Sequence, residues 1–166
     1  MFVEGSSAGA ETALGTAYYT QDIANYYLPG MSDTLGLLDN AGNKLKNTYR
    51  IKGIGSMWGA MRSPHFITSQ NAVPTIFFHG MLGKGVPYNI GHYWDCNNFA
   101  ITYGSKPLYY RLRSLGVPAV AHIDSLGYHE VYTTKFREEN IACFFNSIIM
   151  KDPEIGYYTT EVSNCP

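Results

Sequence analysis

Charge is scarce in this sequence and cysteine scarcer still. Only 15% of its 166 residues are Asp, Glu, Lys or Arg, and the formal net charge is −1. That balance supplies no basic surface for nucleic acid or for an anionic membrane, and neither is expected as a partner. No apolar run approaches the roughly 18 residues needed to cross a bilayer, so no membrane span is expected either. Met1-Phe2-Val3-Glu4 has no basic n-region and no apolar h-region, and no signal peptide is read there. The cysteines Cys96, Cys143 and Cys165 include no closely spaced pair of the metal-binding kind. Cys143 stands in the apolar run Ile141-Ala142-Cys143-Phe144-Phe145 and reads as a buried free thiol. Cys96 and Cys165 lie in polar, loop-like surroundings. There a disulfide between them and two free thiols are both open, and a bridge would mark an oxidising compartment. Internal repeats and low-complexity tracts are absent.

What remains suits a globular domain with a real core, since 45% of the residues are hydrophobic. Met1-Phe2-Val3 reads as the end of a buried strand, and Ala8 to Tyr19 as a helix rich in Ala and Leu. Residues 20–48 hold Pro29-Gly30, Gly36, Asn40, Gly42 and Asn43, the marks of a long loop-rich insertion with room for one short helix. Regular patterning returns at Ile51–Trp58, a strand, and at Thr75–His79, a second strand bounded by Pro74 and Gly80. Leu108, Leu112 and Leu115 recur at helical steps from Gly104-Ser105 onward, and Gly116 and Pro118 stop that helix. Ala119–Ile123 reads as another short strand, and Thr133–Met150 as the last helix. Short apolar strands alternating with helices predict a mostly parallel sheet covered on both faces, a three-layer α/β/α arrangement in one domain over residues 1–166.

Gly5-Ser6-Ser7-Ala8-Gly9 is a G-x-S-x-G pentapeptide set between a predicted strand and a predicted helix. In a nucleophile elbow the serine occupies a strained turn, and the small neighbours let the backbone pass. The helix N-terminus then adds partial positive charge, and the Ala8 amide can donate to an oxyanion. Ser7 is therefore the candidate nucleophile. Its base is sought among His65, His79, His92, His122 and His129. The chain order serine, acid, histidine puts the base after the last strand, where His129 lies; the alternative is a plain surface-loop histidine. His122 reads as structural and His79 as a brace for the turn after its strand, while His65 and His92 read as loop residues.

Several ordered stretches then resemble one family. These are Gly5-Ser6-Ser7-Ala8-Gly9-Ala10, Trp58-Gly59-Ala60, Pro74–Gly80 with Val86-Pro87-Tyr88, Tyr103-Gly104-Ser105, and Gly127-Tyr128-His129-Glu130. Together they resemble the bacterial α/β-hydrolase esterases and lipases, among them feruloyl- and acetyl-esterase relatives, over roughly residues 2–150. The resemblance implies hydrolysis of a small-molecule ester through an acyl-enzyme, a Ser-acid-His triad and no cofactor. Members of that group are often exported, which makes a secreted or periplasmic parent an expectation.

Two departures go with it. The family carries its acid in an H-G-x-x-D pattern, and here His79-Gly80-Met81-Leu82-Gly83 puts glycine at the acid's place. Asp124 and Asp95 are the candidate substitutes, and each also reads as an ordinary loop carboxylate. The family sheet has about eight strands, and its second oxyanion donor comes from a loop after the third. The chain is thus read as the C-terminal half of such a domain, its N-terminal strands missing and Met1 an internal methionine. Rival expectations are an amidase or peptidase of the same fold, and a truncated or degenerate homologue without activity. The fourteen tyrosines, with Tyr18, Tyr19, Tyr26, Tyr27 and the Tyr93-Trp94 pair prominent, either line an aromatic cleft or pack loops and rims.

Overall fold

The strongest apolar runs in the sequence become the middle of a parallel sheet. The computed structural model describes residues 1–40, 42 and 48–165. In it, Phe2–Ser6 (β1), Gly53–Met57 (β2), Thr75–Gly80 (β3), Ala119–Asp124 (β6) and Gly156–Tyr158 (β7) pair in the order β1-β2-β3-β6-β7. Every pairing in this sheet is parallel. Ile90–His92 (β4) and Ile101–Tyr103 (β5) form a separate antiparallel hairpin. Among the described residues five α-helices complete the fold: Ala8–Tyr18 (α1), Gln21–Tyr27 (α2), Met31–Leu35 (α3), Ser105–Ser114 (α4) and Thr134–Ile149 (α5).

Side chains alternate between the faces of a strand, so the sheet divides its apolar residues in two. Ile54, Phe77, Ala119, Ala121 and Ile123 join Leu14 and Tyr18 of α1 and Leu108 and Leu112 of α4. Ile76, Phe78 and Val120 join Ile141 and Phe144 of α5 on the other side. Each phenylalanine buried this way contributes about 1.5–3 kcal/mol relative to exposure. Helices therefore cover both faces of a parallel sheet, as the alternation of apolar runs and helical patterns predicts.

The helix boundaries follow local chemistry. The Thr133 hydroxyl accepts from the Phe136 N–H at 3.2 Å and caps α5. Gly116 takes φ 73 after α4, and the Val117 N–H returns to the Leu112 carbonyl at 3.0 Å. The sheet has one strand more than the sequence reading gave, because β7 is only three residues long. The hairpin strands are as short, too short for a period to register. The insertion at 20–48 carries two short helices where one was expected, and its residues 41 and 43–47 lie outside those described.

The cysteine reading needs correction. Cys143 is not a buried thiol; it forms a disulfide with Cys165, with a Cα–Cα distance of 5.4 Å, and Cys96 is free. The buried stripe of α5 runs through Arg137, Asn140, Ile141 and Phe144, so Cys143 falls on its flank. The tail after β7 returns along that flank. There the Asn164 N–H donates to Asn140 Oδ1 at 2.7 Å, and Asn164 Oδ1 meets His122 Nε2 at 2.9 Å. A bridge across the 22-residue separation restricts the unfolded chain and is worth about 3 kcal/mol on loop entropy. Cys165→Ala is accordingly expected to lower unfolding free energy by about 3 kcal/mol in urea titrations, with Cys96→Ala nearly neutral. Equal stability of the Cys165→Ala and parent chains would contradict a native bridge.

Candidate active site

At the end of β1 the chain turns directly into α1, and Ser7 makes the turn with φ 53 and ψ −121. A non-glycine residue held there costs about 1–3 kcal/mol, so neighbouring contacts have to fix it. The Ser7 N–H donates to the Met57 carbonyl of β2 at 2.9 Å, and the Ser7 carbonyl accepts from the Glu11 N–H at 3.1 Å. Gly5 explains why the pentapeptide opens on glycine: a Cβ there would stand 2.4 Å from the carbonyl atoms of Gly9. Ala8 begins α1, so its N–H has no acceptor within the helix and sits at the positive end of the helix dipole.

His129 arrives from the loop between β6 and α5. Asp124 shapes the start of that loop: its Oδ1 accepts from the Leu126 N–H at 2.9 Å, and its carbonyl accepts from Met81 at 2.9 Å and from Gly127 at 3.3 Å. The Leu82 N–H donates to the Gly127 carbonyl at 2.9 Å, tying the loop after β3 to the loop after β6. From behind, the Arg137 guanidinium, only 7% exposed, donates to the carbonyls of Val131 and Tyr132 and to Glu130 Oε1. Its Cζ lies 4.9 Å from the centroid of the Trp58 ring, which in turn flanks the His129 imidazole. The loop so held brings His129 Nε2 to 3.0 Å from Ser7 Oγ, across 122 residues of chain.

The far side of the imidazole is empty of acid. His129 Nδ1 is buried and has no hydrogen-bond partner among the described residues. Asp124 has turned to the Leu126 amide, and the exposed Asp95 pairs with Lys84 Nζ at 3.4 Å. Neither substitute aspartate orients His129. Glycines stand beside the ring instead: a Cβ on Gly85 would fall 2.9 Å from Nδ1, and one on Gly83 would fall 3.2 Å from the His129 backbone nitrogen. A buried Nδ1–H without acceptor costs about 1–3 kcal/mol. Among the described residues no acceptor at Nδ1 selects the tautomer that leaves Nε2 free to accept from Ser7.

The remaining histidines have other partners. His79 is buried, with Nε2–H donating to the Val86 carbonyl at 3.1 Å and Nδ1 accepting from the Ser105 hydroxyl at 2.8 Å. It braces the turn after β3, as read from its place at the strand end. His122 is stacked between Phe78 and Tyr158 within the core. His92 Nδ1 meets the Phe99 carbonyl. Among the described residues no cluster of three or more His, Cys, Asp or Glu side chains could hold a metal ion, and no helix is long and apolar enough to cross a membrane.

Ser7 and His129 open on two clefts. One, of about 490 Å³, is walled by Ala8, Glu11, Gly85, Val86, Tyr93 and Trp94. The other, of about 320 Å³, is walled by Met57, Trp58, Glu130, Arg137 and Ile141. A larger hollow of about 710 Å³ lies away from the serine, between Thr16, Tyr19, Leu38 and Tyr49. Of the tyrosines singled out, only Tyr93 reaches the serine's cleft. Tyr18 is in the core, and Tyr19 and Tyr27 pack edge-on against Phe66. Sequence reasoning missed Glu11 and Arg137. Glu11 was available as the residue one helical turn beyond Ser7, whereas Arg137 gave no signal. No protein-family model, curated protein or solved structure matches the chain.

Burial holds both His79 and His122 down to about 4, their hydrogen bonds only partly opposing it. Unfolded, each binds its proton near the ordinary 6.5. The unfolded chain thus takes up more protons than the folded one as pH falls through that window. Stability is complete above it and declines within it. Urea midpoints are expected to drop between about pH 7 and pH 5, and His122→Gln to shrink that drop. A drop left unchanged in the variant would mean that His122 is not held neutral.

Proposed function

We propose that the chain is a serine ester hydrolase of the α/β-hydrolase type, with Ser7 as nucleophile and His129 as its base. One observation carries the reading: a serine strained at a strand-to-helix turn faces an imidazole nitrogen at 3.0 Å, from loops at the same end of a parallel sheet. Ser7 Oγ attacks the ester carbonyl and passes its proton to His129 Nε2, while the Ala8 N–H donates to the oxyanion. The ester C–O bond then breaks and His129 returns the proton to the leaving alcohol. Water, deprotonated by the same nitrogen, releases the acid and restores the serine. No cofactor enters. In this reading β1, which is the sheet's edge, is also where the further strands of a whole hydrolase sheet would pair.

A second reading has its own support. The unpartnered Nδ1 and Gly83 favour a degenerate homologue that keeps the elbow and has lost the acid. Loss of the orienting carboxylate costs a triad enzyme several orders of magnitude, through the wrong tautomer. The rate on a short-chain p-nitrophenyl ester separates the two readings. Slow hydrolysis that falls to background in Ser7→Ala is expected; hydrolysis undiminished in a folded Ser7→Ala variant would exclude Ser7 as nucleophile, and none in the folded parent would leave the degenerate reading. Faster cleavage of the matching anilide would point to an amidase instead.

Gly83→Asp tests the acid directly. The new Cβ would meet the Tyr128 carbonyl oxygen at 2.9 Å and the His129 backbone nitrogen at 3.2 Å, so the backbone of the loop that carries His129 has to shift to accept it. With the carboxylate facing Nδ1, kcat/KM is expected to rise by at least about tenfold, and Gly83→Asn to give no such gain. Equal rates in the two variants would mean that position 83 does not supply the acid.

A further inference from the structure

The cleft beside Ser7 contains one carboxylate that the hydrolytic steps leave unused. Glu11 lies one turn of α1 beyond Ser7, so the two share a side of the helix. Val86, Tyr93 and Trp94 form the rest of its wall. Tyr93 lines the cleft with Glu11, and among the described residues no lysine or arginine forms an ion pair with that carboxylate. Lys84, the chain neighbour of Gly85 in the cleft wall, pairs with Asp95 at 3.4 Å. Burial raises the Glu11 carboxyl above its usual range. A part-buried carboxylate without a counter-ion is costly, and a cation in the cleft removes that cost.

The aromatic wall is built for the same occupant. Trp94 and Asp95 are successive residues at positive φ, 54 and 51. Trp94 is 63% exposed although its indole lies 5.1 Å from Phe99 and 5.8 Å from Tyr93. An open indole face beside an unneutralised carboxylate is the chemistry that recognises a quaternary ammonium, which gains from the ring quadrupole and loses little hydration. A cleft of about 490 Å³ holds such a head together with the ester it is attached to.

We infer that this cleft binds a cationic, trimethylammonium-type group of the substrate, and that Glu11 and Trp94 determine the specificity. The assignment deepens the ester-hydrolase reading and rests on it for the reaction alone: the alcohol that departs with the proton from His129 carries the positive charge. An anionic group is repelled by Glu11, and a neutral alcohol of the same shape gains only the aromatic contact.

Binding can be read without turnover. The full chain, and its Ser7→Ala variant, are titrated at about pH 8 with choline and with its neutral isostere 3,3-dimethylbutan-1-ol, following tryptophan fluorescence and heat. Choline is expected to bind at least about tenfold more tightly than the isostere, with the preference lost in Glu11→Gln and choline binding weakened in Trp94→Leu. Circular dichroism and urea midpoints matching the parent verify that both variants fold. Equal binding of the two probes, no binding of choline, or an undiminished preference in folded Glu11→Gln would each overturn the inference. Choline preference in a chain that hydrolyses no ester would sink the hydrolase reading and spare the cation site. Ester hydrolysis without that preference would do the reverse.

Discussion

β3 and β6 are paired along six positions, from Thr75↔Ala119 to Gly80↔Asp124, and the groups around His129 hang from one end of that ladder. Parallel pairing puts the ends of both strands on the same edge, so the loops that follow them emerge side by side. The ladder continues past the strands, with Met81 donating to Asp124 and Leu82 to Gly127. This continuation sets the loop with Gly83 and Gly85 against the loop with His129. β2 stands on the other side of β3, and its Met57 carbonyl holds the Ser7 amide. Register across three strands thus fixes a distance between a serine and a histidine that local structure could not.

The same arrangement explains how a base can be well placed and poorly prepared. Ser7 owes its geometry to the turn between β1 and α1, and His129 owes its position to the Asp124 turn, Arg137 and Trp58. Neither set of contacts touches Nδ1. The 3.0 Å approach of His129 Nε2 to Ser7 Oγ therefore needs no partner at Nδ1, and among the described residues no hydrogen bond there chooses the tautomer. Distance and protonation are controlled by different parts of the fold, and the contacts that fix the first do nothing to select the second.

Legibility in the sequence followed burial and length. β3 and β6, buried almost throughout, were readable because a parallel strand covered on both faces carries a nearly continuous apolar run, interrupted here only by Thr75, His79, His122 and Asp124. α4 was readable from leucines at helical steps with a glycine stop. β4, β5 and β7, three residues each, offered no period, and the Cys143–Cys165 bridge depended on a tail whose return along α5 is a tertiary matter. In the candidate site, Ser7, Ala8 and His129 were legible from a pentapeptide and from chain order, and the absence of acid at Gly83 was visible too. What became of Asp124 was not. Its role as the turn-former at the end of β6 depends on amides two and three residues on, whose positions the loop alone does not determine.

Arg137 shows why the buried polar groups near the site are better viewed as scaffolding than as chemistry. A guanidinium that is 7% exposed has lost most of its water, and it is tolerated because its donors meet two carbonyls, a carboxylate and a hydroxyl. Its partners all lie in the segment 130–134, next to His129 and at the start of α5. Replacing it with an apolar side chain would leave the Val131 and Tyr132 carbonyls facing a part-buried space without donors, and the loop would have to open to water. The cost would fall on the position of His129. Glu11 is the opposite case: it sits in the serine's cleft, and among the described residues no lysine or arginine forms an ion pair with it, so no salt bridge there offsets its desolvation. A charge satisfied from all sides holds a structure together, whereas a charge left half-satisfied at the wall of a cleft is an affinity for whatever ligand completes it.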